Sequence, residues 1–246
     1  MSEKVPESVA ILGLGPSLGE YVEFAKRLGS RRTMFDEVWG INSAIDVINC
    51  DRGFMMDNPA VQEIRAAAKP DSNIAAMLTW MKTHPGPIYT SVPHPDYPGL
   101  VPYPLADVIN ATGGMAYFNS TGAYAVAFAV YLGVKKIYLF GIDYTYRSSH
   151  MAEKGRANVE WYLGIHKARG GVIGLPVTTL MDGIATLEGA QPYGYDGARL
   201  EFDRDEKGRV TVSATPCPLP TAEEIEARYD HSKPTVPEEF LQRSGE

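Results

Sequence analysis

The sequence predicts an α/β fold, a Rossmann-like doubly wound sheet of mostly parallel strands with a C-terminal extension containing a β-hairpin. Three observations predict it. Short apolar runs alternate with helical patterns along the first two thirds of the chain. The predicted strands end in polar residues: Asn42 and Ser43, then Asp57 and Asn58, then Asp143. Small residues stand where strands meet helices, at Gly13-Leu14-Gly15-Pro16-Ser17-Leu18 and at Ser120-Thr121-Gly122. In such sheets ligands sit outside the carboxyl ends of the strands, and backbone N–H groups at a helix start can hold a phosphate.

The elements follow in order. Ser8–Leu14 reads as a buried first strand, Gly13 to Pro16 turn the chain, and Ser17 is placed to cap a helix over Leu18–Leu28. Strands are expected at Asp36–Asn42 and Arg52–Asp57, helical pieces at Val61–Ala68 and Ile74–Lys82, and a short strand at Ile88–Thr90. The stretch from Pro85 to Pro104 holds seven prolines, which exclude a helix or a central strand and predict a long surface loop. Ser120–Leu132 is a strongly apolar helix, Lys135–Ile142 a buried strand, and Glu153–Arg169 a helix with Val159, Tyr162, Leu163 and His166 on one side. The character changes after Pro176. A turn-rich segment at Tyr193–Gly197 precedes a hairpin in which Leu200–Phe202 and Val210–Val212 flank Asp205–Gly208. A short helix at Glu223–Tyr229 and a charged, frayed tail at Pro237–Glu246 close the chain. Residues 1–176 thus read as a nucleotide-binding domain with a Pro-rich loop at 85–104, and 177–246 as the extension.

Bulk properties narrow the function. A 246-residue chain with a formal charge of −7 lacks the basic balance of a nucleic-acid-coating protein, so nucleic acid is the least expected partner. Two cysteines with no CxxC or Cys/His cluster argue against structural zinc and against a disulfide framework. No apolar run approaches the ~20 residues of a membrane span, and the N-terminus lacks a signal-peptide core. A cytoplasmic location is expected, and a homo-oligomer is compatible with all of this.

The glycine-rich turn fails two familiar tests. A dinucleotide fingerprint needs a third glycine at position 18, where leucine stands, and an acidic residue at the end of the second strand, where Asn42 stands. A Walker A loop needs a Lys-Ser/Thr ending that is missing.

Taken in their fixed order, Gly15-Pro16-Ser17-Leu18, Asn42, Asn58-Pro59, Ser120-Thr121-Gly122 and Ile137-Tyr138-Leu139-Phe140-Gly141-Ile142-Asp143-Tyr144 carry a resemblance. The order resembles the bacterial sialyltransferases of the glycosyltransferase 42 family. It is also similar to the group with a 6-hydroxymethylpterin diphosphokinase-like domain, which includes phage-borne proteins. The resemblance covers roughly residues 8–170. It implies that Asn42 and Asn58 bind a nucleotide phosphate or ribose, and that Ser120, Thr121 and Gly122 line the nucleotide pocket. A tyrosine, Tyr144 or Tyr146, would hydrogen-bond the leaving phosphate, and His150 would be the general base on an acceptor hydroxyl. The spacing from strand to histidine is shorter here than in the sialyltransferases.

The residues themselves add further expectations. The ordinary pKa of histidine suits His150 to proton removal near neutrality, whereas His166 reads as a packing residue. Arg147 offers a planar fork to phosphate oxygens, and Asp143 is expected to shape the site by holding loop N–H groups. The Gly13, Gly15, Pro16 and Ser17 turn and the Ser120 helix start are expected to hold the nucleotide. The leading expectation is transfer of a sugar from a nucleotide-activated donor, such as a CMP-sugar, with no metal. The alternatives are diphosphate transfer from ATP, with Mg2+ on Asp57 and Asp143, and a non-catalytic nucleotide- or metabolite-binding protein.

Overall fold

The computed structural model describes residues 5–144, 149–176, 197–207, 209–219 and 221–223. The chain divides into two compact units, Met1–Ala185 and Thr186–Glu246. The division falls later than the expected 176/177 boundary, within a stretch outside the described residues. The segments expected to be turn-rich at 193–196, helical at 224–229 and frayed at 237–246 also lie outside them, as do Tyr146 and Arg147.

The first unit is a seven-stranded parallel sheet in the order β5-β4-β3-β2-β1-β6-β7. Its strands are β1 (Ser8–Leu12), β2 (Glu37–Ile41), β3 (Arg52–Phe54), β4 (Ile88–Thr90), β5 (Leu100–Pro102), β6 (Lys136–Phe140) and β7 (Val172–Gly174). Every residue of β1 is buried, as expected for a central parallel strand covered on both faces. Its alternate side chains serve two cores. Val9 and Ile11 join Trp39 and Phe54 beneath α6 (Thr121–Leu132) and α7 (Ser149–Ala168), whereas Ala10 and Leu12 join Val38 and Phe140 beneath α1 (Leu18–Leu28). A third cluster sets Met55 and Ile88 against α4 (Asn73–Met81), which follows α2 (Ala44–Val47) and α3 (Pro59–Ala68). Because β1 sends the chain to β2 on one side while β6 flanks it on the other, the topological switch point lies between β1 and β6.

The Pro-rich stretch is more ordered than a surface loop. It carries β5, paired in parallel with β4 at the sheet edge, and buries Tyr97 and Tyr103. An edge strand tolerates proline because one side needs no donor, and Pro102 ends this one. The stretch then enters α5 (Leu105–Ala111).

His166 is a packing residue, as expected. It is 3% exposed, with Nε2 3.1 Å from the carbonyl oxygen of Val172, and it anchors the end of α7 to the start of β7. Burial lowers its pKa below the ordinary histidine value, so the folded state favours the neutral ring. Its contribution is therefore complete above about pH 6.5 and is lost as pH falls from there towards the lowered folded pKa. The melting temperature of the wild-type chain should fall between pH 7.5 and pH 5, and His166→Gln should flatten that slope. Parallel pH profiles for the two proteins would contradict the assignment.

In the second unit β8 (Ala198–Arg204) and β9 (Val210–Pro216) form the expected antiparallel hairpin, longer than expected at both ends. Leu200 and Phe202 pair with Ala214 and Val212 on one face, and Glu201 and Asp203 with Ser213 and Thr211 on the other. Asp205 shapes the turn by accepting from the backbone N–H groups of Lys207 and Arg209, at 2.9 and 2.8 Å.

Candidate functional site

A cleft of about 670 Å³ opens over the carboxyl ends of β1, β2, β3 and β6, at the switch point. Its lining joins segments far apart in the chain: the Gly13–Pro16 turn, Asn42, the Ser120–Gly122 helix start and the Gly141–Tyr144 turn. Two anticipated ligands lie elsewhere. The Oδ1 of Asn58 caps α3 by accepting from Ala60 N–H at 3.0 Å, and Asn58 is not among the cleft-lining residues. Ser17 is 2% exposed and also outside the lining.

The roles of Ser17 and Asp143 are structural. Ser17 stands at the N-cap of α1, but its hydroxyl caps nothing. It accepts from Gly141 N–H at 2.7 Å and donates to Asp143 Oδ1, while Ser17 N–H donates to Asp143 Oδ2 at 2.8 Å. One buried carboxylate thus ties the loop after β1 to the loop after β6. The glycines permit that closeness. A Cβ on Gly15 would stand 2.5 Å from Asp143 Oδ2, and one on Gly13 would collide with the carbonyl oxygen of Gly141.

This tie engages much of the first turn, whose Gly13, Gly15 and Pro16 line the cleft as expected. Gly13 N–H donates to Phe140 O and Gly15 N–H to Gly141 O, each at 2.8 Å. The N–H groups of Ser17, Leu18 and Gly19 are likewise taken, by Asp143, Gly15 and Pro16. The Gly13, Gly15 and Ser17 N–H groups are thus spent on Phe140, Gly141 and Asp143, while Leu14 N–H, beside the cleft, has no hydrogen-bond partner among the described residues.

Two open donors sit together at the start of α6. Ser120 is its N-cap, yet its side chain makes no capping bond and instead lies 2.9 Å from the hydroxyl of Tyr144. Among the described residues, Thr121 N–H and Gly122 N–H therefore have no hydrogen-bond partner, and both residues line the cleft. The Tyr144 hydroxyl lies over Gly122, 3.2 Å from where a Cβ would stand. Two hydroxyls and two N–H groups thus meet at the positive end of a helix dipole, an arrangement suited to an anion. Tyr144 holds this position at φ 54°, a conformation that costs a bulky L-residue about 1–2 kcal/mol.

The opposite wall carries hydrogen-bonding side chains. Asn42 sits at φ 50°, which asparagine tolerates, and its Oδ1 is buried with no partner among the described residues. Asp57, after β3, and Asn73, at the start of α4, are exposed and complete this side. Neither Asn73 nor Ser43, which also lines the cleft, was foreseen as a ligand contact. Ser43 adjoins the polar strand end that drew attention to Asn42, whereas Asn73 reaches the cleft only through the α3–α4 turn. The described lining contains the carboxylates of Asp57 and Asp143 and no Lys or Arg. Asp143 is buried with each of its oxygens accepting from Ser17, whereas Asp57 is exposed.

No family model matches the chain, and no curated protein or solved structure matches it. The fold and the cleft thus rest on this chain's own geometry. His150 falls in the first turn of α7, five residues beyond the end of the Gly141–Ile142–Asp143–Tyr144–Thr145 run, and its side chain lies outside the described residues, as do Tyr146 and Arg147. Cys50 is no candidate nucleophile, because burial pushes its thiol up to about 12. Among the described residues no helix is long and apolar enough to cross a membrane.

Proposed function

We propose that the cleft binds a nucleotide bearing a single phosphoryl group and that the protein transfers a sugar from such a donor to a hydroxyl acceptor. The observation that carries this reading is the neutral donor set at the start of α6, where Thr121 N–H, Gly122 N–H, Ser120 and Tyr144 converge. A polyphosphate would bring several negative charges into a described lining that already holds two carboxylates and no cation. A phosphodiester brings one.

In this reading His150 takes the proton of the acceptor hydroxyl, and the acceptor oxygen attacks the anomeric carbon of the donor. The bond from that carbon to the phosphate oxygen breaks, and the departing nucleoside monophosphate keeps the electron pair. The charge that develops on its oxygen falls to the Tyr144 hydroxyl and the α6 donors, a preorganised stabilisation of the oxyanion-hole kind. The Asn42 and Asp57 wall faces the rest of the nucleotide. This is the activity that the sialyltransferase resemblance implies. Its acceptor is a hydroxyl compound.

A thermal-shift panel of CMP, UDP, GDP and ATP, each with and without Mg2+, tests it, since a ligand stabilises the state it binds. CMP at about 100 times its Kd should contribute about 2.7 kcal/mol, unaffected by EDTA. A shift seen only with ATP and Mg2+ together would replace this reading with diphosphate transfer.

A further inference from the structure

We infer that helix α7 is the template that sets both halves of the anion cradle, through Gly155 and Asn158 as positioning residues. The inference rests on the nucleotide reading of the cleft and adds to it a part of the molecule that does not line the cleft. Gly155 and Asn158 lie three residues apart, on one face of α7. The Cε1 edge of the Tyr144 ring packs against the helix at Gly155: an added Cβ would collide with Cε1, and would lie 3.0 Å from Cδ1 and 3.4 Å from Cζ. Only the missing side chain lets the ring sit there. Asn158 is fully buried, and its Oδ1 accepts from the backbone N–H of Asn119 at 2.7 Å. Asn119 is the residue before Ser120, so this bond fixes the turn that aims the first N–H groups of α6 into the cleft.

The two contacts act on one device. Tyr144 holds an unfavourable backbone conformation, and it does so with its ring on Gly155 and its hydroxyl on Ser120. That hydroxyl keeps Ser120 from capping its own helix. If the ring is pushed off Gly155, Ser120 is released to bond the N–H groups of Gly122 or Ala123, as an N-cap serine ordinarily does. The cradle then loses two hydroxyls and part of its backbone donors together. The helix gains a cap in the same step, so ligand affinity and helix stability move in opposite directions. A residue that only filled space would move them together.

The test is a double-mutant cycle over Gly155→Ala and Tyr144→Phe, read by calorimetric titration with CMP and by the melting temperature without ligand. Each single variant is expected to weaken CMP binding at least tenfold, the worth of one good hydrogen bond, because more than one cradle donor is lost in the same step. The double variant should be no weaker than Gly155→Ala alone, because the hydroxyl has already left the cradle. Independent, additive losses would overturn the inference. Should Gly155→Ala fail to fold, Asn158→Ala probes the other contact, with the same roughly tenfold loss of CMP affinity expected; unchanged affinity would overturn the inference. The ligand-free arm keeps the two claims apart. Absence of CMP binding by the wild-type chain would sink the nucleotide reading, whereas additive changes in melting temperature across the cycle would sink the template.

Discussion

Asp143→Ala is expected to lower the melting temperature by roughly 10 °C and to abolish nucleotide binding. The side chain is 3% exposed, and it accepts from both the N–H and the hydroxyl of Ser17. Removing it leaves two donors buried without partners, where hydrogen bonds to a charged group are worth about 1.5–3 kcal/mol each. The two together make a loss of about 3–6 kcal/mol, and each kcal/mol lowers the melting temperature by about 2–4 °C for a unit of this size. Binding should go further than stability does. The Ser17–Asp143 tie joins the loops after β1 and β6, and those loops carry the glycine wall and Tyr144. Asp143→Asn keeps one acceptor and should fall between the wild type and Asp143→Ala in a calorimetric scan. A variant that melted and bound like the wild type would show that the two loops hold without the carboxylate.

Arg52→Ala should cost as much stability and leave binding alone. Arg52 is 6% exposed and grips Glu37 with two bonds, Nε to Oε2 at 2.7 Å and a terminal nitrogen to Oε1 at 3.1 Å. Its guanidinium also lies 5.9 Å from the centre of the Trp39 ring, and Glu37 Oε2 accepts from Trp39 Nε1 at 2.6 Å. Removing Arg52 leaves the part-buried Glu37 carboxylate with the Trp39 Nε1–H but without its cation, at up to about 3–5 kcal/mol. Arg52 and Glu37 begin β3 and β2, so the pair sits at the amino ends of the strands, away from the cleft at their carboxyl ends. Chemical denaturation should therefore show a lower midpoint with an unchanged CMP affinity at temperatures where the variant is folded. A matching loss of affinity would mean that the sheet transmits strain across its length.

These two sites also show what a linear reading can and cannot reach. The β–α alternation was legible because central parallel strands must be apolar on both faces, and Val9–Leu12 and Ile137–Phe140 are. The helix over Leu18–Leu28 was legible from the turn before it, and the structure ends it at Gly29 in a left-handed conformation. Asn58 followed by proline is an ordinary helix start, and the structure uses Asn58 as that cap and not in the cleft lining. Hidden from the sequence were bonds between residues more than a hundred positions apart. Ser17 looked like a cap because nothing nearby announces Asp143. Gly13 and Gly15 looked like phosphate donors because the carbonyl groups of Phe140 and Gly141 that occupy them belong to another strand. The Pro-rich stretch misled for a related reason. Proline density reports what a segment cannot be in a central strand, and is silent on an edge strand anchored by buried tyrosines.

The central claim is that the anion site lies at the start of α6 and not at the glycine-rich turn. Backbone amide resonances followed during a CMP titration test it most directly. The largest shifts should fall on Thr121 and Gly122, whose N–H groups are open to the cleft, with smaller changes at Gly13 and Gly15, whose N–H groups are bound to Phe140 and Gly141. Largest shifts at Gly13, Gly15 and Ser17, or none at Thr121 and Gly122 under saturating CMP, would contradict it.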